Sequence, residues 1–257
     1  MKQYQTVVLG SGYFSFGYAA THEDVLVVEA TQLADPHCYG TLDGFVWNGK
    51  VPESKGARGL YDALVGDGVV SGGRISVNEL ESAFCRFLAT DMSALLLGTF
   101  CTCVNKTEDG YDLTLCNNEG LSHVFAKNVI DTRVGLGNRL GVLVYLAEGR
   151  EPCIPSVDGV TVTVGPAFYD DHRLITLAFE GEVDENRAKQ RSLSVIEDSL
   201  RASGSKILQM SYCLFGAPVL SPYRDDSGIV HVDQRAFGNL FEMYEKGETW
   251  NDEAFDA

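Results

Sequence analysis

The fold class is predicted from two stretches near the start of the chain, Thr6-Val7-Val8-Leu9-Gly10-Ser11-Gly12 and Val25-Leu26-Val27-Val28-Glu29. Both contain an uninterrupted apolar and β-branched run, which is typical of a strand covered on both faces. Glycines end the first run, and residues 14–20 have the length of about two helical turns. The pattern predicts a strand, a glycine turn, a short helix and a second strand, which together form a compact βαβ unit.

The glycine turn has the residue types that a dinucleotide site needs. Gly10 and Gly12 permit a tight turn and let backbone N–H groups approach an anion, and the following helix directs its positive end at a diphosphate. Glu29 follows Gly10 by 19 residues and ends the second strand, where a carboxylate accepts hydrogen bonds from ribose hydroxyls. Ser15 stands where the fingerprint has its third glycine. The residues themselves leave two interpretations open: a dinucleotide site, or a glycine turn of an α/β fold that binds nothing.

Beyond the second strand the regular pattern is lost from Thr31 to Gly73 and then returns. A long irregular segment of this kind predicts a functional or mobile loop. Ser76-x-x-Glu79 is a capping-box signature, and the apolar residues behind it recur at helical spacing as far as Leu88. After this predicted amphipathic helix, a small antiparallel meander is predicted from three strand-like runs, at 99–104, 111–116 and 123–130.

The second half of the sequence changes character. Two alternating runs predict strands at 160–164 and 174–179, and Asp184 is placed to cap a helix that Gly204 ends. An apolar run at 207–214 and a final amphipathic helix near 237–244 complete the pattern. The predicted fold class is α/β: a Rossmann-like domain, with a parallel sheet and a small antiparallel meander, that carries a small β-rich α+β insertion. The predicted boundaries are 1–150 for the first part of that domain, 151–215 for the insertion and 216–257 for the return with its terminal helix.

Composition and charge exclude several functional classes. The chain has 257 residues, with 36 acidic and 20 basic side chains, and a formal net charge of −16. Because this balance leaves no strongly basic face, we expect no binding to nucleic acid or to anionic membranes. No apolar run approaches the ~20 residues of a membrane-spanning helix, so a cytoplasmic protein is expected.

The seven cysteines are an odd number and are scattered through apolar stretches. They are expected to be small buried hydrophobic residues rather than a disulfide framework. Cys101 and Cys103 form a close pair, but no second Cys/His pair at zinc spacing accompanies them, so no metal site is predicted.

A further stretch, Ala126-Lys127-Asn128-Val129-Ile130-Asp131-Thr132, ends the last strand of the predicted meander. Together with the N-terminal unit it resembles the FAD-dependent oxidoreductases of the glutathione-reductase-like, two-dinucleotide-fold flavoprotein superfamily. The resemblance extends from residue 4 to about residue 135 and implies that the first domain binds FAD as its cofactor. It also implies a set of cofactor-binding residues: Gly10, Gly12, Ser15, Glu29, Gly40, Thr41, Val104, Asp131 and Thr132.

Three of these residues come from two further parts of the resemblance. Cys38-Tyr39-Gly40-Thr41 is similar to the family's turn along the diphosphate, and Val104 corresponds to a valine whose backbone touches the adenine. The family's C-terminal Gly-Asp turn, near the flavin ring, has its nearest match at Gly228–Asp233. Three departures place bulk where the family keeps its backbone close to the cofactor: Ser15, Tyr39 and Arg133.

The function that the resemblance implies is that of an FAD-dependent oxidoreductase acting on a small organic substrate. The alternative is a degenerate relative that keeps the fold, has lost flavin or turnover, and acts as a binding or interaction protein. A nicotinamide-dependent dehydrogenase fits less well, because no second glycine fingerprint is present. A protein electron acceptor and a second copy of the chain are the protein partners considered. No catalytic residue is assigned, and surface roles remain the alternative for each polar residue expected on the substrate side: Tyr169, His172, Tyr212, Tyr223, Arg224 and His231.

Overall fold

The structure is a computed structural model that describes residues 1–31, 49–89, 94–133, 135–147, 154, 156–181, 183–211, 214–217 and 219–251. Its elements alternate between strands and helices in the first third and are mainly strands thereafter. In chain order they are β1 (Lys2–Leu9), α1 (Tyr13–Thr21), β2 (Val25–Val28), α2 (Lys55–Gly66), β3 (Val70–Ser71), β4 (Arg74–Ile75), α3 (Val77–Leu88), β5 (Ala94–Leu96), β6 (Phe100–Lys106), β7 (Tyr111–Asn117), β8 (Gly120–Asp131), β9 (Leu136–Tyr145), β10 (Val160–Pro166), β11 (His172–Phe179), α4 (Glu185–Ser203), β12 (Lys206–Met210), β13 (Tyr223–Arg224), β14 (Val230–His231), a 3₁₀ helix (Gln234–Phe237) and α5 (Leu240–Glu248).

The first sheet contains the predicted parallel core. Five parallel strands lie in the order β14-β8-β1-β2-β5, with β13 antiparallel at the edge beside β14. The last four residues of β1 and all four residues of β2 are buried, as expected for apolar runs covered on both faces. The predicted βαβ unit at the N-terminus is confirmed.

The antiparallel meander is also confirmed. β6 pairs with β7, and β7 pairs with the first half of β8. The second half of β8 continues into the parallel sheet beside β1, so one long strand belongs to both parts. Alternate residues of the meander are buried in a shared core with β1 and β2, among them Leu113, Leu115, Val124 and Ala126.

Helices α1 and α5 pack against each other in direct backbone contact. A Cβ atom on Gly17 of α1 would overlap the carbonyl of Tyr244, and one on Gly247 of α5 would overlap the carbonyl of Phe14. Glycine at both positions therefore lets the helices approach more closely than side chains allow. The predicted terminal helix thus returns to the first sheet, where Trp250 closes the core over Phe14.

Helix α2 corrects the expectation that the chain is irregular throughout Thr31–Gly73. It buries Ala57, Leu60 and Leu64 at helical spacing, but glycines and charged residues between them weaken the periodic signal. Its first turn has two capping acceptors, because the Ser54 hydroxyl and the Glu248 carboxylate both accept the N–H of Ala57, at 3.3 and 3.0 Å. Ser54 is a local N-cap, whereas Glu248 belongs to α5, far away in the sequence. Residues 32–48 of the same segment lie outside the described part of the chain.

Helix α3 forms where the sequence predicts it, but without the predicted capping box. Ser76 is the residue before the first turn, and its hydroxyl makes no capping hydrogen bond. That hydroxyl is buried and has no partner among the described atoms. The helix is held instead by its apolar face, in which Leu80, Ala83, Phe84 and Leu88 are buried.

The second lobe, residues 136–211, is an antiparallel sheet of order β10-β11-β9-β12 packed on α4. Asp184 caps α4 by accepting the N–H of Arg187, and Gly204 ends it in the left-handed conformation, as predicted. β9 pairs with both β11 and β12, so the change of sheet lies at Leu136, and the domain boundaries at residues 150 and 215 stay a prediction. The link from β8 to β9 is too short to leave a linker signal in the sequence. No helix in the described part of the chain has the length and apolar run needed to span a bilayer.

Candidate functional site

The candidate site lies along the carboxyl edge of the first sheet. Leu9 pairs with Val28 on one side and with Asp131 on the other, and β14 ends beside Asp131 at His231. The carboxyl ends of four parallel strands therefore meet at one edge. In open α/β sheets this edge is where ligands bind.

The glycine turn after β1 is closed by hydrogen bonds to its carbonyls. Gly10 has φ +102°, a conformation that favours glycine, and a Cβ there would lie 2.7 Å from the Thr132 hydroxyl oxygen. The Thr132 hydroxyl bonds the Leu9 carbonyl at 3.0 Å, and the Ser15 hydroxyl donates to the Gly10 carbonyl at 2.7 Å. Ser15 is fully buried and faces these carbonyls, so its side chain does not project into a groove above the turn. The structure thus brings Gly10, Ser15 and Thr132 together.

Glu29 is buried at the end of β2 and is saturated by donors from the protein. Its Oε2 accepts the backbone N–H and the hydroxyl of Ser11, at 2.8 and 3.0 Å. Its Oε1 accepts the backbone N–H and the hydroxyl of Thr31, at 3.1 and 3.0 Å. A carboxylate offers about four lone-pair positions, and all four have a donor. Ribose hydroxyls would therefore replace the two side-chain hydroxyls, while the two backbone N–H groups kept the carboxylate in place.

Gln234 lies directly over the glycine turn, and the sequence analysis missed it. It begins the 3₁₀ helix after β14 and is 1% exposed. Its Oε1 accepts the N–H of Phe14, in the first turn of α1, at 2.9 Å. A Cβ on Gly12 would overlap the carboxamide of Gln234, so the two residues are in close contact. Gly228–Asp233, the nearest match to the family's C-terminal turn, is thus the segment that brings Gln234 to Gly12.

An Asp-x-Arg tripeptide occurs at the end of β8, the strand beside β1, and again after β14, the strand beside β8. The first is Asp131-Thr132-Arg133, which starts with the last residue of β8, and the second is Asp233-Gln234-Arg235. In both, the arginine forms a bidentate ion pair with its own aspartate, with N–O distances of 2.6–2.9 Å. The middle residue of each, Thr132 or Gln234, bonds the glycine turn or the start of α1. This repeated pattern was visible in the sequence and is the signal that would have found Gln234.

Two bulky residues lie close to the glycine turn in sequence or in space, Tyr13 and Arg133, and their side chains have different surroundings. Tyr13 is buried in the core against Phe84, with ring centroids 4.9 Å apart. The Arg133 guanidinium is half-exposed and turned to Asp131, whose hydrogen bonds raise the pKa of Arg133. The Arg133 stem still passes within 3.3 Å of a Cβ placed on Gly10, so it borders the turn without filling it. Tyr39 lies outside the described residues.

A cleft of about 460 Å³ adjoins the same edge, bordered by Asp131, Arg133, Tyr223 and His231. The His231 imidazole lies 2.9 Å from Asp225 and 4.0 Å from Asp131, and the Tyr223 ring stacks on it. Desolvation opposes ionisation of Asp225, but hydrogen bonds from Ser227 and His231 prevail and lower the pKa of Asp225 to about 2. The cleft therefore carries an imidazole between two carboxylates.

The remaining predicted residues are dispersed. Val104 lies in the middle of β6, paired with Leu113, and its contact with adenine stays a prediction. Arg224 is beside the cleft and donates to the Gly228 carbonyl. Tyr169 and His172 lie together in the second lobe, with ring centroids 4.9 Å apart. Gly40, Thr41 and Tyr212 lie outside the described residues.

The described cysteines and metal-ligand types form no further site. Cys85, Cys101, Cys103 and Cys116 are free thiols, and burial raises the pKa of Cys101. Within the described ranges, no group of three or more His, Cys, Asp or Glu side chains is arranged to hold a metal ion.

Comparison with known proteins gives a match in structure and none in sequence. No protein-family model and no curated protein matches the chain. OxyS anhydrotetracycline hydroxylase from Streptomyces rimosus is 14% identical, with a TM-score of 0.56 over 89% of this chain and 56% of its own. A flavoprotein/dehydrogenase from Cytophaga hutchinsonii is 12% identical, with a TM-score of 0.53 over 95% of this chain and 76% of its own. p-Nitrophenol 4-monooxygenase PnpA from Pseudomonas putida is 10% identical, with a TM-score of 0.53 over 90% of this chain and 72% of its own.

This chain therefore spans little more than half of the length of OxyS. At such low identity the likeness shows the fold alone. The protein has the predicted mixed α/β, Rossmann-like fold of the FAD-binding type, with a β-rich second lobe.

Proposed function

We propose that this protein is an FAD-dependent oxidoreductase acting on a small organic substrate, within the glutathione-reductase-like flavoprotein superfamily. The observation that carries the proposal is the carboxyl edge of the first sheet, where the glycine turn, the start of α1 and the Glu29 carboxylate adjoin one another. Proteins with the same fold include a hydroxylase, a monooxygenase and a flavoprotein/dehydrogenase, which supports the reaction class.

Several residues fit an FAD molecule at this edge. The N–H groups of the first turn of α1 would bind its diphosphate, and Glu29 would accept its ribose hydroxyls. Asp131 and Thr132 would border it, since they end the strand beside β1. When bound, FAD supplies the redox chemistry, and the protein holds and orients it. The fit fails at one point, because Gln234 must leave Gly12 before a diphosphate can approach the turn.

The direct test is the colour of the purified full-length chain. Bound FAD gives absorbance bands near ~370 and ~450 nm, and heat denaturation should release an equimolar amount of FAD into the supernatant. A chain that stays colourless, and gains no bound FAD after incubation with an excess and removal of free flavin, would refute the proposal.

The second candidate is a flavin-free relative that acts through binding partners. Two groups that would bind a dinucleotide, the N–H of Phe14 and the Glu29 carboxylate, already have hydrogen-bond partners within the protein, and this favours the second candidate. The same test of FAD retention separates the two candidates. Retention of FAD supports the enzyme, and a folded chain without FAD affinity supports the relative.

A further inference from the structure

We infer that the Gln234 side chain competes with the diphosphate of a dinucleotide for the glycine turn, and so sets the affinity of this site for FAD. The inference rests on the proposed function and names a residue that limits it. Gln234 comes from the segment after β14, which is 220 residues away from Phe14 in sequence but adjacent in space.

The Gln234 side chain and a bound diphosphate would need the same space above Gly12. In a glycine turn of this type, the second glycine lacks a Cβ so that the diphosphate can approach the backbone. At Gly12, the atoms that a Cβ would overlap are the amide nitrogen, oxygen and carbon of Gln234. Gln234 therefore occupies the volume that Gly12 keeps open.

The Gln234 side chain and a bound diphosphate would also accept the same backbone N–H, that of Phe14. The first N–H groups of a helix have no partner within the helix, and the N–H of Phe14 is one of them. Gln234 Oε1 accepts this N–H at 2.9 Å. A phosphate oxygen would accept the same N–H in a charge-assisted and stronger bond. A neutral carboxamide oxygen thus lies where an anionic oxygen would bind, and both cannot be present at once.

The backbone around Gln234 is held by contacts that do not involve the Gln234 side chain. Asp233 accepts the N–H of Arg235 at 3.1 Å, and Arg235 donates to the Gly216 carbonyl at 2.9 Å, so the turn is held independently of the Gln234 side chain. The Gln234 amide nitrogen lies 3.5 Å from the Thr132 carbonyl, a long hydrogen bond. Displacement of the Gln234 side chain from Gly12 would break one short hydrogen bond and one long one.

The experiment compares FAD affinity in four forms of the full-length chain, by quenching of flavin fluorescence. Gln234→Ala removes the carboxamide and should bind FAD about tenfold more tightly than the natural chain. Gln234→Glu keeps the volume but places a negative charge beside the diphosphate, so it should bind FAD more weakly. Gln190→Ala makes the same chemical change at an exposed position on α4 and should leave the affinity unchanged. ADP, used as a second probe, should show the same order, because it carries the same diphosphate.

The outcomes separate this inference from the proposed function. Equal FAD affinity of the natural chain and Gln234→Ala overturns the inference and leaves the function standing. Binding by Gln234→Ala and not by the natural chain supports the inference and refutes the function for this chain. Absence of FAD binding in both refutes both. Circular dichroism checks folding, and if Gln234→Ala does not fold, FAD binding by Gln234→Glu as tight as in the natural chain overturns the inference.

Discussion

Gly17→Ala is expected to destabilise the protein, although alanine is the better helix former. In the interior of α1, replacing glycine by alanine should by itself gain about 1 kcal/mol. The new Cβ would overlap the backbone carbonyl of Tyr244 and come within 3.1 Å of the Glu248 nitrogen. Because backbone atoms at this contact cannot rotate away, α1 and α5 must separate. Overpacking of this kind costs about 1–3 kcal/mol, and more where the obstacle is rigid.

With about 3 kcal/mol for this rigid obstacle and the helix gain of about 1 kcal/mol subtracted, the net loss in the free energy of unfolding should be about 2 kcal/mol, or about 4–8 °C in Tm for a chain of this size. Gly59→Ala on α2 is the matched control, since its Cβ would meet the Phe87 ring at an ordinary 3.7 Å. That variant should gain about 0.5–1 kcal/mol. Thermal and urea unfolding followed by circular dichroism measure both. Equal stability of the two variants would refute the backbone contact between α1 and α5.

Three further predictions concern the site. Glu29→Ala should weaken FAD binding about tenfold, because the acceptor for the ribose hydroxyls is lost; flavin fluorescence titration measures it, and unchanged affinity would exclude that role. The depressed pKa of Asp225 means that the ion contributes stability above the ordinary value of 3.8 and that this contribution is lost as the pH falls towards about 2. Asp225→Asn should therefore lower the urea midpoint more at pH 5 than at pH 2, where the carboxyl group is already about half protonated, and equal effects at both would contradict this. Arg235→Ala leaves the buried Asp233 unpaired and should cost about 3–5 kcal/mol, whereas Arg133→Ala at the half-exposed pair should cost less than about 1 kcal/mol. Urea unfolding compares them, and equal losses would show that burial does not distinguish the pairs.

Much of the fold was predictable because its signals are local. The apolar runs of β1 and β2, the glycines between them and the alternation in β7 and β11 each lie within a few residues. Two elements did not follow from local signals. The periodic signal of α2 is weakened by the glycines and charged residues between its buried positions, and β9 joins the second sheet through pairing with β11 and β12.

The candidate site shows the same division. Gly10 and Glu29 were found because a turn that needs φ > 0 and a carboxylate that ends a strand are recognisable from neighbouring residues. Ser15 was expected to add bulk above the turn, but it faces inward to the Gly10 carbonyl. A residue type gives the volume of a side chain, and the surrounding packing gives its direction.

Local sequence accounts for the opening strand, the glycine turn and the carboxylate, because each depends on a few neighbouring residues. The residues that lie above the turn follow only from the way the chain folds. Gln234 reaches Gly12 because β14 pairs with β8 in parallel and ends at the same edge as β1. Such a contact depends on the register of strands far apart in the chain, and local composition carries no record of that register.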